Sequence, residues 1–175
     1  GLDATGGQTF ATVPSPAGSG FAQTVSAQLL RSHDDGMHQI QETAVIELPA
    51  GLQIVRMTHS NIIQLPVGNT TVLLSQFYGH LPNVDGDGKY RVVAIRSDTM
   101  GKSWYFTSTV AWDAVSTASK VGPSHELHPE GFDEASLVVT DLSSNLIACF
   151  MRTGKALYRS LSDTLGSSWS TADPI

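Results

Sequence analysis

The stretches SDTMGKSW at residues 97–104 and SDTLGSSW at residues 162–169 are identical at six of eight positions, Trp included. This repetition constrains the fold more than any other feature, because a repeated sequence unit implies a repeated structural unit. Each copy sits late in a series of short apolar runs. NIIQLP, TTVLLSQFY and YRVVAIRS precede the first copy, and WYFTSTVAW follows it. SLVVT, NLIACFMR and ALYRSLS precede the second, and WSTADPI follows. Runs rich in Val, Ile, Thr, Tyr and Phe, bounded by Gly, Pro, Asn, Asp and Ser, read as strands and turns. The chain thus writes a four-stranded meander twice, with the shared turn joining the third strand to the fourth.

A weaker third copy, SHDDGMHQ at residues 32–39, keeps the Ser, the Gly and an acid at Asp34, and has Gln39 where the others have Trp. The three turns begin at Ser32, Ser97 and Ser162, an even spacing of 65. Measured from NIIQLP to SLVVTD the offset is 75, because the loop GHLPNVDGDGK lengthens the earlier unit. Units near residues 1–50, 51–115 and 125–175 suit the blades of a β-propeller with long connections. The expected fold is therefore all-β, a propeller of four-stranded antiparallel blades with about two and a half to three blades present. Closed propellers have roughly four to eight blades. The chain is accordingly expected to be a fragment, or one part of a ring that another chain completes.

Composition narrows the function. Hydrophobic residues at 41% and charged residues at 15% describe a globular chain. A net charge of −6 with ten scattered Lys and Arg argues against nucleic-acid partners, which need clustered cations. No apolar run approaches the roughly 20 residues of a membrane-spanning helix. The single Cys149, flanked by LIA and FM, reads as an inert core thiol.

The turn resembles the Asp-box, or bacterial neuraminidase repeat, Ser-x-Asp-x-Gly-x-Thr-Trp. Ser97, Gly101, Ser103 and Trp104 fit it, as do Ser162, Gly166, Ser168 and Trp169. The third position departs: Thr99 and Thr164 stand there, with Asp98 and Asp163 one place earlier. Such a turn needs a Gly free to take positive φ, a short side-chain acceptor for exposed N–H groups, and an aromatic anchor. Thr can act as that acceptor. The box is read as a folding device with no direct catalytic part.

The segment DEASLVVTDLSSNLIACFMRTGKALYRSLSDTLGSSW is similar in order to a sialidase blade: an acid, a strand, a strand ending in Arg, then a box. The resemblance covers roughly residues 55–175 and implies a six-bladed parent. It also implies that Glu134 polarises a tyrosine nucleophile and that Arg152 grips the substrate carboxylate. Arg56 is a candidate for an earlier arginine of the same grip, and His59 for a rim residue. Sialidases differ from most glycosidases in using a tyrosine. A neutral nucleophile avoids repulsion by the sugar's own carboxylate, while an Arg fork binds that carboxylate bidentately.

Each assignment has a plainer alternative. Glu134 can be a solvated strand-end acid, Arg152 an acid-paired surface arginine, and His59 a structural hydrogen-bonding residue. Tyr78, Tyr90, Tyr105 and Tyr158 sit in strand patterns or beside boxes, where packing is the expected use. The resemblance also calls for an Asp acid/base, two further arginines and a downstream tyrosine, and the usual nucleophile is expected beyond Ile175. The loop NVDGDGKY at residues 83–90 mimics the start of a calcium loop, but Ala94 stands where the closing Glu is required. In HELHPEGFDE at residues 125–134, two His and several acids lack a third metal ligand at defined spacing. The reading calls for no metal and no cofactor.

Two functions follow as expectations. One is a sialidase-like exo-glycosidase, or part of one, cleaving or binding terminal acidic sugars at the propeller mouth. The other is a non-catalytic Asp-box propeller serving as a scaffold or binding module in a larger assembly. The expected partners are a glycan and the remaining blades, from the parent chain or a partner chain.

Overall fold

The computed structural model describes residues 12–13, 23–32, 37–56, 61–81, 89–112 and 130–175. These residues contain no helix, and the chain is all-β. Three strands come first: β1 (Thr12–Val13), β2 (Gln23–Arg31) and β3 (Ile40–Leu48). Next come β4 (Gln53–Arg56), β5 (Ile62–Val67), β6 (Thr70–His80), β7 (Arg91–Ser97) and β8 (Ser103–Ala111). The last four are β9 (Asp133–Asp141), β10 (Leu146–Arg152), β11 (Leu157–Ser162) and β12 (Asp173–Pro174).

Both expected meanders form. Strands β5 to β8 pair antiparallel in sequence order, and so do β9 to β12. Their registers coincide. Leu73 pairs with Ser97 and Phe77 with Val93 in the first, as Ile147 pairs with Ser162 and Met151 with Tyr158 in the second. On the other side of the second strand, Ile62 pairs with Ser75 as Leu137 pairs with Cys149. The repetition in sequence is therefore a repetition of hydrogen-bond register.

The first unit departs from expectation. Its strands do not form a separate four-stranded blade, because β3 pairs in parallel with β8 over Val45–Glu47 and Ser103–Tyr105. One sheet of eight strands results, in the order β1-β2-β3-β8-β7-β6-β4, with β5 beside β6. The reason is Trp104. Its ring sinks into the core shared with β2 and β3, which draws the start of β8 within pairing distance of β3. The sheet curls so that its two halves face each other across that core.

Two cores lie on either side of β6 and β7. Val25, Ala27, Leu29, Ala44, Ile46 and Leu48 meet Leu73, Phe77, Val93 and Ile95 on one side. Leu74, Tyr78, Val92 and Ala94 meet Leu137, Ile147, Cys149 and Met151 on the other. A strand buried on both faces must be apolar at successive positions instead of alternate ones. VLLSQFYG in β6 meets that requirement by being buried throughout. The amide nitrogen of its Gln76 and the side chain of the preceding Asn61 bond across the second core. Asn61 donates to Leu137 O (2.7 Å) and accepts from Leu137 N (2.9 Å), while Gln76 donates to Ala135 O (2.8 Å). The Asn61 amide thereby stands in for a strand neighbour on the edge of β9.

Each box docks onto the preceding unit. In the first, the Ser97 hydroxyl accepts from Thr99 N and Gly101 N, and Thr99 Oγ1 accepts from Ser103 N. In the second, Ser162 and Thr164 make the same bonds to Thr164 N, Gly166 N and Ser168 N. Thr fills the acceptor role as expected. Asp98 lies outside the turn's network, bonded to Arg96 and to the Tyr105 hydroxyl, and Asp163 is exposed. The Arg31 guanidinium donates to Met100 O in the first box. Ser108 Oγ donates to Gly166 O and accepts from Trp169 Nε1 in the second.

Gly101 and Gly166 have φ of +88° and +80°. A Cβ on Gly166 would stand 2.8 Å from Leu74 Cδ1, whereas one on Gly68, at φ +59°, would meet nothing within 4 Å. Both substitutions to Ala carry the ~1 kcal/mol left-handed penalty, and Gly166→Ala adds overpacking of roughly 1–3 kcal/mol. Urea unfolding should therefore show Gly166→Ala to be the more destabilised; equal losses would mean that the box is not pressed onto Leu74. Asn61→Ala strands the Leu137 N–H and C=O and should cost about 2–3 kcal/mol in the same measurement.

Candidate functional site

The two meanders run the same way, so both boxes fall at one end of the sheets. The opposite end collects the ends of β6, β8 and β10 and the starts of β7, β9 and β11. There Tyr90 bridges Gly131, with Tyr90 N donating to Glu130 O and Phe132 N to Tyr90 O. Gly131 is required at that crossing, because a Cβ would lie 2.3 Å from Tyr90 O. The bridge delivers Asp133 and Glu134 to the rim of the second core.

Arg152, the last residue of β10, is paired opposite Asp133, and a register shift separates this pair from Phe150 and Ser136. The shift brings three carboxylates to one guanidinium. Glu134 Oε2 lies 2.8 Å from Arg152 Nε. Asp133 accepts in fork fashion, from Nε at Oδ1 (3.3 Å) and from a terminal nitrogen at Oδ2 (3.3 Å). Glu130 Oε2 is 3.4 Å from Arg152. Glu134 and Arg152, singled out from the sequence, are thus in contact on the same face of their sheet. Glu134 also has φ +40°, a conformation that L residues rarely adopt and that concentrates at functional sites.

The environments of the acids differ. Asp133 is almost wholly buried, with 3% of its side chain exposed, while Glu134 and Arg152 are 34% and 44% exposed. Burial pushes the Asp133 carboxyl up to about 6, against the opposing Arg152 charge, and a hydrogen bond with Glu130 adds to the rise. The Asp133 charge in turn raises Arg152, which keeps the guanidinium firmly cationic. The four groups can hold an ion pair and a proton together, which is acid–base chemistry of the kind that operates near neutrality.

The remaining candidates are dispersed. Arg56 ends β4 with its backbone opposite Tyr78 at this same rim; its side chain and all of His59 lie outside the described residues. So do the 83–88 loop, His125, His128 and the first box residues 33–36. Tyr78 and Tyr158 are core residues and Tyr90 packs on Tyr78, ring centroids 5.3 Å apart, as packing tyrosines should. Cys149 is fully buried, and burial raises its thiol. Among the described residues, no group of three or more His, Cys, Asp and Glu side chains could hold a metal ion. They include no helix long and apolar enough to cross a membrane.

Sequence reading missed Asp133 and Glu130 as partners of Arg152, because only the bulge in β9 turns both acids toward it. It also missed Arg91, whose guanidinium lies 4.7 Å from the centre of the half-exposed Trp112 ring at the same end of the middle strands. No family model matches the chain, and no curated protein matches its sequence.

The Asp133 shift sets a pH dependence. The unfolded carboxyl titrates near 4 and the folded one near 6, so between these values the folded state binds more protons. Stability from this group is complete below about pH 4 and is lost as pH rises through about 6, by ~3 kcal/mol. Urea titrations from pH 4 to 7 should show the loss in the native protein and a flatter profile in Asp133→Asn. Parallel profiles would show that Asp133 does not bind this extra proton.

Proposed function

We propose that the chain is a segment of a sialidase-like Asp-box β-propeller that acts on terminal acidic sugars at the rim where Glu134 meets Arg152. The observation that carries this reading is their 2.8 Å contact, from the ends of adjacent strands, at the end of the sheets opposite both boxes. Support for the propeller comes from two meanders of identical register stacked face to face, each box seated on the unit before it. On this reading Glu134 serves a nucleophile supplied by another blade, Arg152 orients the sugar carboxylate, and Asp133 fixes the guanidinium plane. The further blades come from the parent chain or from a partner chain.

One observation favours the second reading, a non-catalytic propeller that acts as a scaffold or binding module. Three carboxylates surround one guanidinium, so the described rim carries an excess of negative charge that repels an acidic sugar. Hydrolysis at this rim requires further cations to reverse that field.

A fluorogenic sialoside separates the two. A hydrolase releases the fluorophore, and Glu134→Gln lowers kcat by at least about a hundredfold while leaving the unfolding midpoint unchanged. No release by the ring that this chain and the remaining blades complete, or release that survives Glu134→Gln in it, overturns the enzymatic reading of Glu134.

A further inference from the structure

Glu134 holds a backbone conformation that closes no turn. The other non-glycine residues at positive φ among the described residues, Met100, Asn145 and Leu165, all lie in turns. Glu134 lies inside β9. There Glu134 and Ala135 together face Met151 alone, between the Asp133–Arg152 and Ser136–Phe150 pairs, which is a β-bulge. A bulge residue in the left-handed region is usually Gly, because a Cβ is strained there. A carboxylate side chain kept in such a place, against that strain, points to a use for the side chain.

The segment is tied down on both sides of Glu134. Before it, Tyr90 N donates to Glu130 O (2.8 Å) and Phe132 N to Tyr90 O (3.0 Å). After it, Gln76 Nε2 donates to Ala135 O (2.8 Å), and the Asn61 amide bonds both Leu137 N and Leu137 O. Gln76 Nε2 also donates to Asn61 Oδ1 (3.1 Å), which joins the two side chains in one clip. Gln76 is fully buried, so its bonds form away from bulk water, where they are strongest.

The clip is not part of the repeat. Ile62 pairs with Ser75 as Leu137 pairs with Cys149. Ser136 and Phe150 therefore occupy in the second meander the places that Asn61 and Gln76 hold in the first. A Phe cannot make these bonds, yet a meander of the same register forms around it. Between the two meanders, the amides belong to the joint that carries Glu134.

We propose that Gln76 and Asn61 are positioning residues for Glu134: from across the second core their clip holds the bulge of β9 and so aims the Glu134 carboxylate at Arg152. Both act through the backbone of β9. With Glu130 and Phe132 held on one side and Ala135 and Leu137 on the other, the chain between has too little slack for Glu134 to turn to negative φ. The catalytic use of that aim rests on the enzymatic reading of Glu134, whereas the aim itself is measurable without substrate.

The Arg152 Nε–H nuclear magnetic resonance signal of the 175-residue chain reads the aim, since Nε lies 2.8 Å from Glu134 Oε2. Glu134→Gln shifts this signal. Gln76→Met, which keeps the bulk and removes the amide, shifts it in the same direction by a comparable amount, and so does Asn61→Ala. Gly166→Ala, which loosens the opposite end, leaves it in place. A signal unmoved by both Gln76→Met and Asn61→Ala, or moved as far by Gly166→Ala, overturns the proposal. In the completed ring, Gln76→Met lowers kcat on the fluorogenic sialoside about tenfold or more with KM little changed. Turnover that Gln76→Met leaves intact overturns the catalytic use of the clip. A completed ring without turnover sinks the enzymatic reading alone, and the shifted signal still supports the positioning.

Discussion

Burial of β6 on both faces is the constraint on which the rest of the structure depends. Leu73 and Phe77 point into one core, and Leu74 and Tyr78 into the other. Both cores must form together, because losing either would expose half of an almost continuously apolar strand. The same condition makes polar residues in this layer costly unless they are hydrogen-bonded. Gln76 and Asn61 bond to Ala135 and Leu137 across the second core. They fix the position of β9 against β6, and with it the position of Asp133 and Glu134.

The boxes act from the opposite end. Their Ser and Thr hydroxyls satisfy the turn's N–H groups, and positive φ at Met100, Gly101, Leu165 and Gly166 closes the turn tightly. Tightness lets Gly166 press on Leu74 and lets Trp104 enter a core. The turns are therefore clamps between units as well as hairpins within them. With the sheets clamped at the box end and bridged by Tyr90 and Gly131 at the other, strand ends carrying charge are held at one rim. There the bulge in β9 makes Asp133 and Glu134 share Arg152, and burial holds the Asp133 proton.

Much of the strand order was legible in the sequence. The two runs before and after each Trp turn needed only alternation, turn residues and repetition to be read, and β5 to β12 fall where those signals place them. The acceptor role of Thr99 and Thr164 followed from side-chain chemistry. The pairing of Glu134 with Arg152 followed from a strand start facing a strand end. The parallel joint between β3 and β8 was not legible, since residues 45 and 103 have no local signal of each other. Nor were Asp133 and Glu130 as ligands of Arg152, because a register shift of this kind leaves no compositional mark.

The sequence by itself determined the repeat, its strands and the chemistry of its turns, since these depend on residues within a few positions of one another. Tertiary structure alone decided that the first unit joins the second in one curled sheet, and that Arg152 is held by three acids. These outcomes depend on contacts between distant segments, where the depth to which Trp104 sinks and the bulge at Asp133 set which groups meet.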